Sequence, residues 1–135
     1  MLNYLFAFIT SAAIAISFRG RLRAVPASGL AGLLGYAGYD LTIRLGFPQL
    51  LGAFIGALAV GTAGELLARR LREPTLMFVV PALFPLVPGL MAYGGMLGLA
   101  RQDFIGAARD LTHTTFYAGA LAAGLSLPPA FLRRK

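Results

Sequence analysis

The chain has 135 residues, of which 58% are hydrophobic and only 13% are charged, and its mean hydropathy is +0.75. A soluble domain of this size could not bury so much apolar surface, so the composition indicates one integral membrane domain covering residues 1–135. The net charge of +7 is split into short clusters between apolar runs, which argues against a nucleic-acid-binding patch. Because the chain has no cysteine, one histidine and scattered carboxylates, it predicts no disulfide, metal site or cofactor.

The first apolar run, residues 1–18, predicts an uncleaved transmembrane helix. Its length is close to the roughly 20 residues that one crossing needs. A signal peptide would carry basic residues before its apolar run, whereas Arg19, Arg21 and Arg23 follow this one. The order of charge therefore favours a span whose N-terminus lies outside the cytoplasm.

Residues 27–45 predict a second span, which is rich in glycine. Pro26 suits the start of this helix, where a missing N–H group costs no helical hydrogen bond. Asp40 and Arg44 are four residues apart near the far end, so both side chains lie on one face of a helix. Ionisable residues inside a membrane are candidates for ion coupling, but we interpret these two as a mutual salt bridge at the interface.

The third span is predicted at residues 49–68 and contains a small-residue motif and a second charge pair. Gly52 and Gly56 form a GxxxG motif, which lets two helices pack closely. Glu65 and Arg69 have the acid-before-base spacing that stabilises a helix. We interpret them as a structural ion pair, with a proton-relay role for Glu65 as the alternative because it lies deeper in its span.

The fourth span, residues 75–99, is continuously apolar, yet three prolines and a glycine fall within nine of its positions. Each proline lacks an N–H group and directs its ring towards the carbonyl one turn earlier. In hydrocarbon no water can donate to such a carbonyl, so the break needs surrounding protein or a wet cavity. Broken helices expose carbonyls and helix ends to solutes in many secondary transporters. We therefore predict a substrate-pathway element, with a kinked packing helix as the alternative. Its residues are Pro81, Pro85, Pro88 and Gly89.

Three residues near the end of the fourth span are further candidates. Tyr93 is a possible solute contact, although a tyrosine here is more often an interfacial or packing residue. Gly94 and Gly98 repeat the GxxxG spacing, which predicts close helix packing.

The last span is predicted at residues 112–132, after a polar connection at residues 101–110. Its start is rich in hydroxyl groups, which can cap a helix or line a polar path for a solute. The single histidine, His113, is interpreted as a hydrogen-bonded interface residue, with proton coupling as the alternative. The hydroxyl candidates for the solute pathway are Thr112, Thr114 and Thr115.

The distribution of basic residues predicts the topology. Nine of the 12 Lys and Arg residues fall in alternate connections, at residues 19–23, 69–72 and 133–135. Basic residues concentrate on the cytoplasmic side of membrane proteins. We therefore predict five spans, with the N-terminus outside and the C-terminus in the cytoplasm. Because many transporters pair two similar halves around one site, a chain with five spans resembles one half that needs a partner.

The stretch from Glu65 to Met96 resembles the threonine/serine exporter family. The most specific motif is Pro85-Leu-Val-Pro88-Gly89, and the resemblance covers essentially the whole chain. The chain resembles the small-subunit, C-terminal-half type of this family, which is similar to the small component of two-gene bacterial succinate exporters. Further matching positions are Arg69, Pro74, Val60-Gly61-Thr62 and Gly124-Leu125-Ser126-Leu127-Pro128.

This resemblance implies an exporter in the bacterial inner membrane, powered by an ion gradient. Its implied substrates are small amino acids such as threonine and serine, or dicarboxylates such as succinate. Single-chain members of the family have another five-span half and a soluble region, which this sequence lacks. The resemblance therefore implies either a separately encoded large subunit or a homo-oligomer as partner, in contact with membrane lipid.

Our leading hypothesis is that the chain is a subunit of a secondary transporter. A helix break would offer carbonyls to an ammonium group and a half-helix N-terminus to a carboxylate. The alternative is an assembly subunit that stabilises a transporting partner and touches no solute, which the glycine motifs fit equally well. An enzyme is disfavoured because no nucleophile–base motif or carboxylate cluster is evident.

Overall fold

The computed structural model describes residues 1–18 and 23–132, which form helices joined by short connections. The basic residues at 19, 21 and 133–135, used in the topology prediction, lie outside this range. The all-α class predicted for a membrane protein is confirmed for the described residues. The elements in chain order are α1 Leu2–Ser17, α2 Ala24–Arg44, α3 Gln49–Leu71, α4 Leu76–Leu83, a 3-10 turn Phe84–Leu86, α5 Gly89–Ala100 and α6 Phe104–Leu132.

Two of the described helices, α3 and α6, are each long and apolar enough to cross a membrane. A third crossing is possible if the segment from Leu76 to Ala100 counts as one span, bent by 57° between its two halves. Helix α1 is apolar but only 16 residues long. The total of five spans therefore stays a prediction.

Helix α6 begins at Phe104, eight residues before the predicted start of the last span, so residues 104–111 are helical. The reason is a cap: the Asp103 carboxylate accepts a hydrogen bond from the Gly106 N–H at 3.1 Å. An aspartate that satisfies a free N–H of the first turn starts a helix at that point. Thr112 therefore lies two turns inside α6, so the expectation that Thr112, Thr114 and Thr115 stand at a helix start is wrong.

Helix α3 is central to the packing, since it contacts α2, α4, the 3-10 turn and α6. Most of its buried positions are glycine or alanine, which allows close backbone approach where hydrophobic burial gives no driving force. A Cβ atom on Gly56 would lie 2.9 Å from the Gly35 carbonyl oxygen of α2. One turn away, a Cβ on Gly52 would lie 3.0 Å from the Tyr39 ring. Both GxxxG glycines of this helix thus lie at its contact with α2.

Helix α5 differs from the others because, among the described elements, it packs only against α6. The contact uses small residues: a Cβ on Gly98 would lie 3.0 Å from the Ala107 side chain. Gly94 faces α6 as well, with the Asp110 carboxylate 3.1 Å from a Cβ built there. Within α5 only Gly95 is buried. The remaining surface of α5 is open to lipid or to another protein.

Two glycines of α6 provide a matched test of this packing. A Cβ on Gly124 would overlap the backbone carbonyl of Phe54 in α3, whereas a Cβ on Gly119 would meet nothing within 4 Å. We expect Gly124→Ala to lower the unfolding free energy by about 1–3 kcal/mol, because α6 must move away from α3. Gly119→Ala should leave it unchanged or raise it by up to about 1 kcal/mol through helix propensity. Thermal unfolding in detergent, followed by circular dichroism, measures both; equal effects would contradict this packing.

Candidate functional site

The fourth predicted span is interrupted between α4 and α5, at the 3-10 turn and the two residues that follow it. Pro81 lies inside α4, and Pro85 lies in the 3-10 turn. Val87 is extended, with φ −67° and ψ 129°, and Pro88 precedes the first residue of α5. Leu86 is buried and packs against the glycines of α2 and α3. The break is therefore held by neighbouring helices on one side.

Each carbonyl one turn before a proline has a replacement donor. The Met77 carbonyl, which precedes Pro81 by four residues, accepts from the Ser28 hydroxyl of α2 at 3.2 Å. The Pro81 carbonyl accepts from the Phe84 N–H. The Phe84 carbonyl accepts from the Val87 N–H at 3.2 Å. One side chain and the tighter 3-10 geometry therefore supply donors to these three carbonyls.

The carbonyl of Pro85, within the break, has no such replacement donor. Its donor in a 3-10 turn would be residue 88, which is a proline without an N–H group. Its donor in an α-helix would be Gly89, but that N–H donates to the Val87 carbonyl at 2.8 Å. The Pro85 carbonyl therefore has no helical donor. A glycine is not needed at position 89 to avoid a steric clash, since a Cβ there would meet nothing within 4 Å.

Beside this turn lies a groove of about 380 Å³, which we call the Pro85 groove. One wall is a single face of α1, built from positions spaced three and four residues apart. The other walls are formed by Tyr36 of α2 and by Pro85 of the 3-10 turn. Its lining residues are Asn3, Phe6, Ala7, Thr10, Tyr36 and Pro85.

Next to the groove, Asp40 of α2 forms a hydrogen bond with Tyr4 of α1. Its carboxylate accepts from the Tyr4 hydroxyl at 2.5 Å and from the Arg44 Nε at 2.7 Å. The Tyr4 ring meets the Tyr36 ring edge to face, with centroids 5.5 Å apart. We call Tyr4, Asp40 and Arg44 the Asp40 cluster. The sequence pattern identified the carboxylate and the arginine, but Tyr4 is 36 residues away and no local signal points to it.

A second polar group, the Glu65 cluster, joins α3 to the start of α4 and the end of α6. Glu65 is buried, with only 4% of its surface exposed. Its carboxylate lies 3.7 Å from the Arg69 guanidinium and accepts from the Thr75 hydroxyl at 3.2 Å. Arg69 also donates to the backbone carbonyl of Leu132. The Glu65 cluster thus holds three helices together at one end of the bundle.

The remaining pathway candidates from the sequence lie away from the Pro85 groove. Tyr93 is on the exposed surface of α5. Thr112 and His113 are exposed on α6. The Thr115 hydroxyl donates to the Leu111 carbonyl of its own helix at 2.9 Å, and Thr114 does the same to Asp110 at 2.7 Å. These hydroxyls are satisfied locally, so they are weaker candidates for a solute than the groove residues.

Ser28 and Ser11 are both fully buried. Comparing them tests whether the hydrogen bond from Ser28 to the Met77 carbonyl stabilises the fold. Ser28→Ala leaves the Met77 carbonyl without its donor, so we expect a loss of about 1–3 kcal/mol in unfolding free energy. The Ser11 hydroxyl has no hydrogen-bond partner among the described residues. Ser11→Ala, the matched control, should therefore be neutral or stabilising. Thermal unfolding in detergent compares the two; a loss for Ser11→Ala as large as for Ser28→Ala would contradict the assignment.

Comparison with known proteins agrees with the resemblance noted in the sequence. The family model described as Threonine/Serine exporter, ThrE, matches residues 3–131, which include the whole helix break and the groove. A threonine/serine exporter of Corynebacterium glutamicum is 33% identical over 126 residues, covering 93% of this chain. The aligned part is 26% of that relative, so the chain spans about a quarter of its length. No solved structure gives a significant match. This chain therefore belongs to the threonine/serine exporter family.

Proposed function

We propose that this chain is a subunit of a secondary transporter that exports small amino acids (threonine or serine) or dicarboxylates (succinate). It acts in the bacterial inner membrane and draws on an ion gradient. Family membership supports export, and the helix break beside the Pro85 groove is the observation that carries the proposal. An interrupted helix in an apolar bundle is how many carriers present backbone groups to a solute.

The two halves of the fourth predicted span have different neighbours, which suits a transporter. Helix α4 is anchored by buried residues such as Phe78 and Ala82 against α2 and α3. Helix α5 packs only against α6 among the described elements. The bend of 57° therefore separates a half that packs on α2 and α3 from a half that packs on α6. Alternating access needs relative movement of two such parts around a site.

The proposed topology is five spans, with the N-terminus outside and the C-terminus in the cytoplasm. The bias of basic residues towards alternate connections supports it. In this arrangement α6, at 29 residues, extends beyond the roughly 30 Å hydrocarbon core. Its first turns carry Arg109 and Asp110 and would lie in the outer interface.

The proposed complex includes a second component, either a separately encoded large subunit or another copy of this chain. The curated relative is about four times as long as the part that aligns with this chain. Large side chains of α5 are exposed: Leu90 at 89%, Met96 at 66% and Tyr93 at 63%. Helix α5 and the adjoining part of α6 are therefore the surface on which we place this partner, with lipid around the rest.

An assembly subunit that never touches solute is the second candidate. The glycine contacts between α2 and α3 and between α5 and α6 suit a scaffold as well as a carrier. The two candidates differ in what the groove and the break do. A scaffold tolerates changes there as long as the helices still pack.

The export role is tested by loading cells with labelled threonine, serine or succinate and following efflux. Cells would express this chain alone, the proposed separately encoded large subunit alone, or both. We expect efflux only with both chains, because the chain matches a quarter of its curated relative. Efflux from this chain alone would instead support a homo-oligomeric carrier. If no solute leaves under any condition, the export proposal is wrong.

A proline substitution tests whether the break itself is needed. Pro88→Ala restores an N–H group and favours a straight helix by up to about 3 kcal/mol, so we expect efflux to fall by roughly tenfold or more. Pro26→Ala is the matched control, because Pro26 is exposed in the first turn of α2, where no helical hydrogen bond is lost. Both variants should reach the membrane in wild-type amounts. Normal efflux from Pro88→Ala would favour the scaffold candidate.

A further inference from the structure

Two cavities adjoin at Arg70, near the end of α3. One is a groove of about 350 Å³ between α2 and α3, and its lining is apolar apart from this arginine. The other is a pocket of about 140 Å³ between the start of α2 and the end of α3. Because Arg70 lines both, the apolar groove ends at the polar pocket. We call the groove and the pocket together the Arg70 site.

The groove is built from one face of each helix. Its positions on α2 and on α3 are spaced three and four residues apart, as a single helical face requires. The α3 face from Ala63 to Arg70 extends about 10 Å along the helix axis. Several of its leucines remain exposed, so the groove is open to the surroundings of the bundle. A channel of this kind suits an acyl chain. Its apolar lining consists of Leu30, Leu33, Leu34, Ala63, Leu66 and Leu67.

The pocket at the end of the groove carries more positive than negative charge. Arg23 and Arg70 are both exposed there, and Glu73 is the acidic residue that lines the pocket with them. Glu73 already has an interaction partner, whereas no ion pair between described residues involves either arginine. A guanidinium group presents a fork of N–H donors that matches the oxygens of a phosphate. The pocket therefore suits a phosphate group.

Arg70 differs in its surroundings from the arginine that precedes it. Arg69 is engaged within the protein, by Glu65 at 3.7 Å and by the Leu132 carbonyl. Neighbouring residues on a helix point about 100° apart, so the two arginines face different parts of the molecule. The side chain of Arg70 can lie along the leucines with its charged group at their polar end, as arginines at membrane interfaces do.

The groove also lies away from the surface on which we place the protein partner. Gly61 of α3 faces Pro128 of α6, and residues two positions apart on a helix point about 200° apart. Ala63 and the groove are therefore on the opposite side of α3 from α6. Since the proposed partner surface is α5 with the adjoining part of α6, the groove is left to membrane lipid.

We propose that the Arg70 site binds one anionic phospholipid, with an acyl chain in the leucine groove and its phosphate on Arg70 and Arg23. A free phosphate would leave the groove unfilled, and a lipid with a neutral headgroup would gain little from the arginines. Because α2 and α3 each supply one wall and one arginine, the lipid holds the ends of these two helices together. This inference rests on the proposed membrane location and is independent of the exported solute.

A fluorescence experiment measures the headgroup preference. The chain has no tryptophan, so Leu34→Trp places a single fluorophore in the groove, where lipids brominated on their acyl chains quench it on contact. In vesicles, we expect phosphatidylglycerol to bind there roughly fivefold more tightly than phosphatidylcholine, because anionic headgroups attract arginines near the membrane surface. Ile9→Trp is the control, since Ile9 is exposed on α1 outside both cavities. It should show no preference.

Two arginine substitutions locate this preference when each is combined with Leu34→Trp. Arg70→Gln should reduce the ratio of the two affinities to about one, because the charge at the end of the groove is lost. Arg72→Gln is the matched control: it removes the same charge from the same connection, but Arg72 lines neither cavity. It should keep the preference. Added glycerol phosphate, a headgroup without acyl chains, should leave the preference unchanged.

Thermal unfolding gives a second measurement, which needs no introduced tryptophan. In neutral detergent, phosphatidylglycerol at about ten times its Kd should raise the unfolding temperature of the wild-type chain by roughly 5 °C. Arg70→Gln should abolish this shift and Arg72→Gln should retain it. Phosphatidylcholine should have no effect on any of the three proteins.

The outcomes separate this inference from the membrane location on which it rests. If neither brominated lipid quenches Ile9→Trp, the chain is not in the bilayer and the proposed location is wrong. If that control is quenched but the groove shows no preference for phosphatidylglycerol, only the inference is wrong. Equal losses in Arg70→Gln and Arg72→Gln would indicate general attraction to the surface and would overturn it. Quenching of Ile9→Trp but not of Leu34→Trp would show that protein covers the groove, which also contradicts it.

Discussion

A backbone carbonyl in hydrocarbon must find its donor within the protein, because no water reaches it. Three prolines within eight residues remove three donors from one apolar segment, and the neighbouring structure replaces them. Ser28 reaches across from α2 to the Met77 carbonyl, and the 3-10 turn shortens the chain so that later N–H groups serve the next two carbonyls. The Ser28 hydrogen bond joins α2 to α4, and the other two stay within the broken segment. The Pro85 carbonyl, which receives no helical donor, is left beside a groove.

Local chemistry determined which parts of this arrangement could be predicted. A proline acts on its own helix, so the interruption of the fourth span follows from the sequence alone. The donor that repairs it is 49 residues away, and the tyrosine that binds Asp40 is 36 residues away. Such pairings depend on tertiary packing, and no spacing rule reveals them. Asn3 and Thr10 gave a weak signal, since they are polar residues two turns apart in an apolar run, but only the position of Pro85 shows what they face.

The early start of α6 was accessible from the sequence, because Asp103 precedes apolar residues as an N-cap does. Because α6 starts at Phe104, Thr112, Thr114 and Thr115 lie in the helix interior, where two of them bond their own backbone. The glycine motifs were more informative, because close approach depends on size alone. Even so, the tightest backbone contact of α6 with α3 uses Gly124, which stands outside both GxxxG pairs.

Helix α6 has one further mechanical property. Its 29 residues extend about 44 Å, with the N-terminal half bearing α5 and the last carbonyl held by Arg69. The later part of this helix packs on α3 at Gly124, and Pro128 and Pro129 lie inside it before Leu132. Because α5 has no other neighbour among the described elements, α6 serves as the splint that joins α5 to the rest of the described bundle.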